Sequence, residues 1–470
     1  MLAGVLDAVN VLVLVYFVLI NTAYLTTCLL AFWKLRKHSM RIRSLGAEEL
    51  ISSAGAPPIT VVAPTYNEEP TCVESVRSLL TLEYPAYEIL VVNDGSNDGT
   101  LTRLTEAFEL EPAPRAPTAG LPSADIRSIY RSRHHPNLWL IDKQNGGKAD
   151  ALNSGLNHCR TPFFCAIDAD SLLERDALTR IVRPFLEDDR NIASGGVIRV
   201  ANGCDVQSGV VRRIGLPCSL LGGLQVVEYL RAFLSGRVGW AALGSTLIIS
   251  GAFGLFRRSI VVEAGGFWTQ TVGEDMELVV RLHHQSRKGS VAQRITFVPD
   301  PVAWTQVPET LSALARQRDR WQRGLLETLV RHIGMLGNPR YGRVGLLGFP
   351  FFFFFEMLGP LIELAGYAVF ALTVALGRAA PIYVLAFLSL AFVLGMNLSI
   401  AAVAQEELSF RRYPRVQDIL RLFGLAVIEN FGYRQLTLIW RARGLIRAFR
   451  GAREWGERDR KGFGVDPQRA

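Results

Sequence analysis

The stretches Ile59-Thr-Val-Val-Ala-Pro-Thr-Tyr-Asn-Glu-Glu69 and Glu88-Ile-Leu-Val-Val-Asn-Asp-Gly-Ser96 decide the fold. Each is a short apolar run rich in β-branched residues and stopped by turn formers, the pattern of a strand buried on both faces. Between them, residues 72–82 read as a helix. Strand, helix and strand at this spacing predict a parallel βαβ unit, and such units bind ligands at the carboxyl ends of their strands. The polar turns at residues 64–69 and 93–96 stand at those ends. Two further strands are predicted at Leu138-Trp-Leu-Ile141 and Phe163-Phe-Cys-Ala-Ile167. The Pro- and Ala-rich residues 111–125 read as a surface loop.

Outward from this core, the chain turns apolar. Residues 9–33 are long enough to cross a bilayer as a helix. The run is too long, and lacks the preceding basic residues, for a cleaved signal peptide. Lys34, Arg36, Lys37, His38, Arg41 and Arg43 follow it directly, so the positive-inside rule places the next segment in the cytosol. Residues 345–376 and 381–404 are two more apolar regions. Pro350 and Pro360 predict a kink in the first, or an interfacial piece followed by a span. Residues 419–440 carry Arg421, Glu429, Asn430 and Arg434, which argues for an interfacial helix rather than a span. In residues 308–336, Leu311, Leu314, Trp321, Leu325, Leu329, Ile333 and Leu336 fall on one helical face opposite an Arg-rich one, the pattern of a helix lying in the membrane interface.

The expected organisation is therefore an N-terminal span with its basic flank (1–43), an α/β domain (57–307), an amphipathic helix (308–343), a membrane region (344–404) and a basic tail (405–470). The 470 residues carry 51 Lys and Arg against 43 Asp and Glu, a net charge of +8. These cations gather beside apolar stretches, so the partner implied is a membrane lipid surface and not nucleic acid. None of the six cysteines forms a Cys-x-x-Cys pair, and all are expected to be reduced, buried thiols.

Polar residues with chemical potential cluster where strands end. Thr65, Tyr66 and Glu68 form an aromatic-bearing turn, although the same residues also suit an ordinary helix cap. Asp94 precedes a Gly that permits a tight turn. Asp168 and Asp170, one residue apart at the end of a buried strand, suit a hard divalent ion, Mg or Mn, that completes its shell with phosphate oxygens. Lys143-Gln-Asn-Gly-Gly-Lys148 offers a Gly-Gly turn and a lysine suited to phosphates. Gly273-Glu274-Asp275 opens a helical stretch and supplies either a cap or a general base. Gln317-Arg318-Asp319-Arg320-Trp321 lies on the amphipathic helix. Its arginines suit a diphosphate, and equally suit a basic face that snorkels to the headgroups.

Taken in order, Pro-Thr-Tyr-Asn-Glu, Asn-Asp-Gly-Ser, Asp-Ala-Asp, Gly-Glu-Asp and Gln-Arg-x-Arg-Trp resemble the membrane-bound family 2 glycosyltransferases, which include the poly-β-1,6-N-acetylglucosamine, cellulose and hyaluronan synthases. The resemblance runs over residues 57–322 and implies a Rossmann-like nucleotide-sugar-binding domain of the GT-A type with flanking transmembrane and interfacial helices. It implies that Thr65, Tyr66, Glu68 and Asp94 hold uridine, and that Lys148 helps hold the donor. Asp168 and Asp170 would serve a Mg or Mn ion and the diphosphate. Asp275 would be the catalytic base, and Gly251, in Ser250-Gly-Ala-Phe253, would line the acceptor site. Gln317, Arg320 and Trp321 would contact diphosphate and acceptor. The expected activity is inverting, metal-dependent transfer from a UDP-sugar to a growing polysaccharide at the cytosolic membrane face, possible accessory subunits included among the partners. The alternative is non-processive transfer to a membrane lipid. Asn93 stands where several synthases have a second Asp.

Overall fold

Strand β1 (Ile59–Thr65) is buried at all seven residues and sits at the centre of the α/β part of the chain. It pairs in parallel with β2 (Tyr87–Asn93), as the βαβ reading requires, through the helix Cys72–Leu80. The strand was expected to stop at Pro64, yet it runs on to Thr65. Pairing with the strand on its other side has already ended at Val62, so the missing N–H of Pro64 costs no ladder bond there.

The structure is a computed structural model that describes residues 2–44, 55–207, 209–286 and 293–450. Among these, β1 and β2 belong to a ten-stranded mixed sheet with β3 (Leu110–Pro112), β4 (Ile126–Ser132), β5 (Leu138–Lys143), β6 (Phe163–Ile167), β7 (Ser171–Leu173), β8 (Asn191–Val200), β9 (Phe253–Arg257) and β10 (Arg294–Thr305). The spatial order is β3-β4-β5-β2-β1-β6-β9-β8-β10-β7. The strands β5, β2, β1 and β6 run parallel, and β9 inserts antiparallel between β6 and β8. Because the parallel strands share a direction, the turns after β1, β2, β5 and β6 all open at one edge of the sheet. Val62, Leu90, Ile141, Leu152, Phe164 and Leu278 are buried together beneath that edge. This is the mixed α/β architecture expected, although of its ten strands only β1, β2, β5 and β6 stand where strands were expected.

The chain divides into two compact units. One is the sheet unit, Met40–Gly215 with Thr246–Val307. The other is helical and gathers Met1–Ser39, Leu216–Ser245 and Pro308–Glu457. Residues 216–245, expected inside the α/β domain, group with the helical unit instead. They form the helix Leu220–Leu230 and a π-helical continuation, Arg231–Arg237. There Arg231 pairs with Glu429 at 2.8 Å, so the buried carboxylate of 419–440 has a partner in this insert.

Two helices in the helical unit, Leu6–Met40 and Pro381–Ser409, are long and apolar enough to cross a membrane. A third region, Val344–Met357 with Gly359–Ala375, is bent by 48°. The bend follows a π-helical stretch, Phe352–Met357, and precedes Pro360, both recognised causes of kinks. Residues 416–449 form two helices, Val416–Ile428 and Tyr433–Phe449, broken at Gly432 with φ +88°. The thiols correct one expectation. Cys28, Cys72, Cys159 and Cys165 are buried, but Cys204 is only half-buried and Cys218 is exposed.

Candidate functional site

The turns after β1 and β2 are stitched to each other. Asn67, in the left-handed region at φ 52°, donates its amide to Ser96 Oγ at 3.0 Å and accepts from Asn97 N at 2.9 Å. Glu69 accepts from Gly99 N at 3.0 Å, and Thr100 Oγ1 accepts from Glu68 N at 2.9 Å. The two motifs thus build one surface. Tyr66 stands exposed on it, a ring placed for stacking on a flat ligand. Thr65 lies beneath, its carbonyl accepting from Asp94 N at 2.9 Å. Glu68 departs from the expected uridine contact. Its side chain is buried and accepts from Thr71 Oγ1 at 3.0 Å, in the turn that starts the helix Cys72–Leu80. Its main-chain carbonyl accepts from Thr71 N and Cys72 N, so the residue builds the turn into that helix.

Asp94 is also buried, and both carboxylate oxygens are engaged within the protein. Oδ1 accepts from Lys143 Nζ at 2.5 Å and Gly146 N at 3.0 Å, and Oδ2 from Gly147 N at 2.7 Å. Asp94 therefore shapes the Gly-Gly turn rather than presenting an uncommitted acceptor to a base. Its cation, Lys143, has no exposed surface and also pairs with Asp150 at 2.6 Å. Lys143, at the head of the turn expected to suit phosphates, is instead buried between two aspartates.

This turn delivers Lys148 at the start of the helix Lys148–His158, whose other residues are all buried. Polar side chains lock that helix in place. Asn153 donates to the Phe267 carbonyl at 2.9 Å and accepts from Phe267 N at 2.7 Å. Asn157 exchanges bonds with the main chain of Leu121, each at 2.8 Å, and Asp150 accepts from Ala124 N. Asp150, Asn153 and Asn157 recur at helical spacing, the one sequence signal for this clamp. Residues 113–125 are consequently a strap over the helix rather than a simple surface loop.

Lys148 Nζ contacts Asp168 Oδ1 and lies 3.2 Å from Glu274 Oε1. Burial alone would lower its pKa, but the carboxylates of Asp168, Glu274 and Asp275 outweigh burial and hold the ammonium above the ordinary lysine value. Asp275 Oδ2 accepts from Gly251 N at 3.0 Å. A Cβ on Gly251 would fall 2.5 Å from Lys148 Nζ and 3.6 Å from Asp275 Oδ2, so only glycine fits while the lysine stays in place. Lys148, Gly251, Glu274 and Asp275 line one cavity. The helix Glu274–Ser286 that presents the last two is anchored by Arg281, which pairs with the buried Glu277 of the same helix at 2.9 Å and donates to the Gly266 carbonyl at 2.6 Å. Four segments distant in sequence meet here.

Asp168 and Asp170 are both half-buried beyond the end of β6. Among the described residues, no group of three or more His, Cys, Asp or Glu is arranged to hold a metal by itself. Two alternate carboxylates still fit Mg or Mn, since these ions commonly take one or two carboxylates and complete their shell with substrate phosphates.

Gln317, Arg320 and Trp321 belong to the helical unit, on the helix Leu311–Arg331. Its expected faces are corrected. Leu314, Leu325 and Leu329 are buried, but Leu311, Trp321 and Ile333 are exposed. Arg318 does not snorkel: it is buried, 2.7 Å from Glu228, with its guanidinium 4.4 Å from the Trp321 ring centre. Gln322 and Asp319 are buried too and meet Arg441 and Arg447 of the helix Tyr433–Phe449 at 2.8 and 3.1 Å. The helix is packed through polar pairs that compensate each other, a pattern hidden from an apolar-periodicity reading.

The chain matches the family described as glycosyltransferase like family 2 over residues 122–324, and glycosyl transferase family 2 over residues 60–115. Together these matches cover more than half of the sequence. It is 30% identical over 274 residues to a poly-beta-1,6-N-acetyl-D-glucosamine synthase of Staphylococcus aureus, covering 58% of this chain and 56% of that one. The enzyme of the same description from Staphylococcus epidermidis is 28% identical over the same span. The match thus spans a little over half the length of these curated relatives. Among solved structures, the mannosyltransferase PcManGT from Pyrobaculum calidifontis, in complex with GDP-Man and Mn2+, aligns over 90% of this chain and 99% of its own, with a TM-score of 0.52 and 20% identity.

Proposed function

Since this chain is a family 2 glycosyltransferase, we propose that it transfers a sugar from a UDP-sugar to a growing polysaccharide at the cytosolic face of a membrane. The observation that carries this reading is the meeting of Lys148, Asp168, Glu274 and Asp275 around one ammonium, beside the amide of Gly251. The nucleoside lies on the surface that carries Tyr66, with Thr65 beneath and Asp94 organising the turn below it. Lys148 faces the diphosphate. Asp168 and Asp170 would hold a Mg or Mn ion, which when bound supplies charge neutralisation for the leaving diphosphate. Asp275, oriented by Gly251 N, takes the proton of the attacking acceptor hydroxyl. With the base on the acceptor side and the diphosphate opposite, displacement in one step inverts the anomeric carbon. On the Gln-Arg-x-Arg-Trp motif alone, Gln317, Arg320 and Trp321 are assigned to the diphosphate and the acceptor.

The basic segment from Lys34 to Arg43 supports a cytosolic site, where UDP-sugars are available. Purified membranes containing the protein, incubated with a panel of labelled UDP-sugars, should yield a labelled polymer of high mass from one of them. A product of one or a few sugars on an extractable lipid would replace the polymer reading with the lipid-acceptor one. No transfer from any UDP-sugar would overturn the donor assignment. A reporter joined near residue 115 should score cytosolic, and the opposite score would overturn the membrane orientation.

A further inference from the structure

We propose that Lys148 is an internal counter-ion for Asp168 which a divalent cation must displace, so that metal and nucleotide-sugar enter this site together rather than metal first. The inference rests on the assignment of Asp168 to the metal made above. Three features carry it. Lys148 Nζ is in contact with Asp168 Oδ1, so one of the oxygens a metal needs already faces a positive charge. That contact is shielded, with the two side chains only 16% and 21% exposed, so water screens it weakly. The lysine is also held from behind. Its helix is pinned by Asn153 to Phe267, and the absence of a side chain at Gly251 leaves the Nζ position open.

The charge balance gives the direction of coupling. One ammonium stands among the carboxylates of Asp168, Glu274 and Asp275, so the free site needs its lysine. A second cation arriving alone must compete with that ammonium at Asp168. A diphosphate brings negative charge and new oxygen partners for both cations, allowing Lys148 to turn from Asp168 to a phosphate. Metal and nucleotide should therefore bind with positive coupling, and each must raise the affinity of the other by the same factor. Removing the lysine charge should strengthen metal binding in the absence of nucleotide and shrink the coupling.

The test uses the purified full-length protein in detergent and Mn2+ as the probe, with free Mn2+ read from its electron paramagnetic resonance signal, with and without UDP. Wild type should bind Mn2+ weakly alone and at least about tenfold more tightly with saturating UDP. Lys148→Met should bind Mn2+ alone about tenfold more tightly than wild type, with a smaller further gain from UDP than wild type shows. Lys148→Arg, which keeps the charge, should resemble wild type. If Lys148→Met does not purify as a folded protein, Lys148→Gln makes the same comparison. Asp168→Asn should lose Mn2+ binding under both conditions. If the neutral lysine variant binds Mn2+ no more tightly than wild type while Asp168→Asn still loses it, the counter-ion role is wrong and the metal assignment stands. If Asp168→Asn keeps wild-type Mn2+ affinity, the metal assignment falls and the proposal falls with it.

Discussion

The main-chain amide of Gly251 donates to Oδ2 of Asp275 at 3.0 Å, across 24 residues of sequence. The bond joins the loop before β9 to the first turn of the helix Glu274–Ser286 and fixes how one carboxylate is turned. Oδ1 of the same residue accepts from Met276 N at 2.8 Å, so both oxygens are oriented by main-chain donors. A carboxylate held this way reaches its proton without first having to be ordered.

The glycine is therefore a sensitive position. Gly251→Ala should fold, because the intruding methyl meets the mobile end of Lys148 rather than backbone. Moving that ammonium should lower turnover by roughly ten- to a hundredfold, with a smaller loss of UDP affinity. Steady-state kinetics and UDP titration on the same sample check this, and turnover within twofold of wild type would refute it.

Asp275→Asn keeps shape and hydrogen-bonding capacity but cannot accept a proton. It should retain its fold and UDP affinity and lose about a hundred- to ten-thousand-fold in transfer. Glu274→Gln, which removes one partner of Lys148 but not the base, should be milder. If Asp275→Asn turns over within a few-fold of wild type, the base is another carboxylate.

Chelation tests the pair Asp168 and Asp170. EDTA should abolish transfer, and Mg or Mn should restore it. Asp170→Asn should raise the metal concentration needed for half-maximal rate. Transfer that proceeds unchanged in EDTA would remove the metal role from both residues.

Lys143→Met should show itself in stability. The substitution leaves Asp94 and Asp150 without the buried cation between them, a loss of roughly 3–5 kcal/mol for a broken buried pair. Thermal unfolding followed in the presence and absence of UDP should show the apparent Tm lowered by roughly five degrees. A shift of only a degree or two would mean that water reaches these aspartates.

Trp321→Ala should damage transfer to acceptor more than donor binding. The ring is exposed on one side and lies against the Arg318 guanidinium on the other. Since Arg318 keeps its bond to Glu228, the helix should stay in place. Equal losses of UDP affinity and turnover would make the tryptophan purely structural.

By itself the sequence determined the central strands, the edge of the sheet at which polar residues gather, and the apolar helices. These follow from local rules: a β-branched run buried on both faces, a turn former that stops it, an apolar length that matches a bilayer. Lys148, Asp168, Gly251 and Asp275 were legible because each sits in a short motif at an element boundary, and the structure brings all four together. Tertiary structure alone decided the rest. That Lys143 is buried between Asp94 and Asp150, that Glu68 turns inward to Thr71, and that Arg318 packs on Glu228 depend on partners far away in the chain. The same holds for residues 216–245, whose Arg231 finds Glu429 almost two hundred positions later. The physical reason is that periodicity reports how one segment meets an apolar medium. Whether a charge can leave water depends on which opposite charge the fold delivers to it.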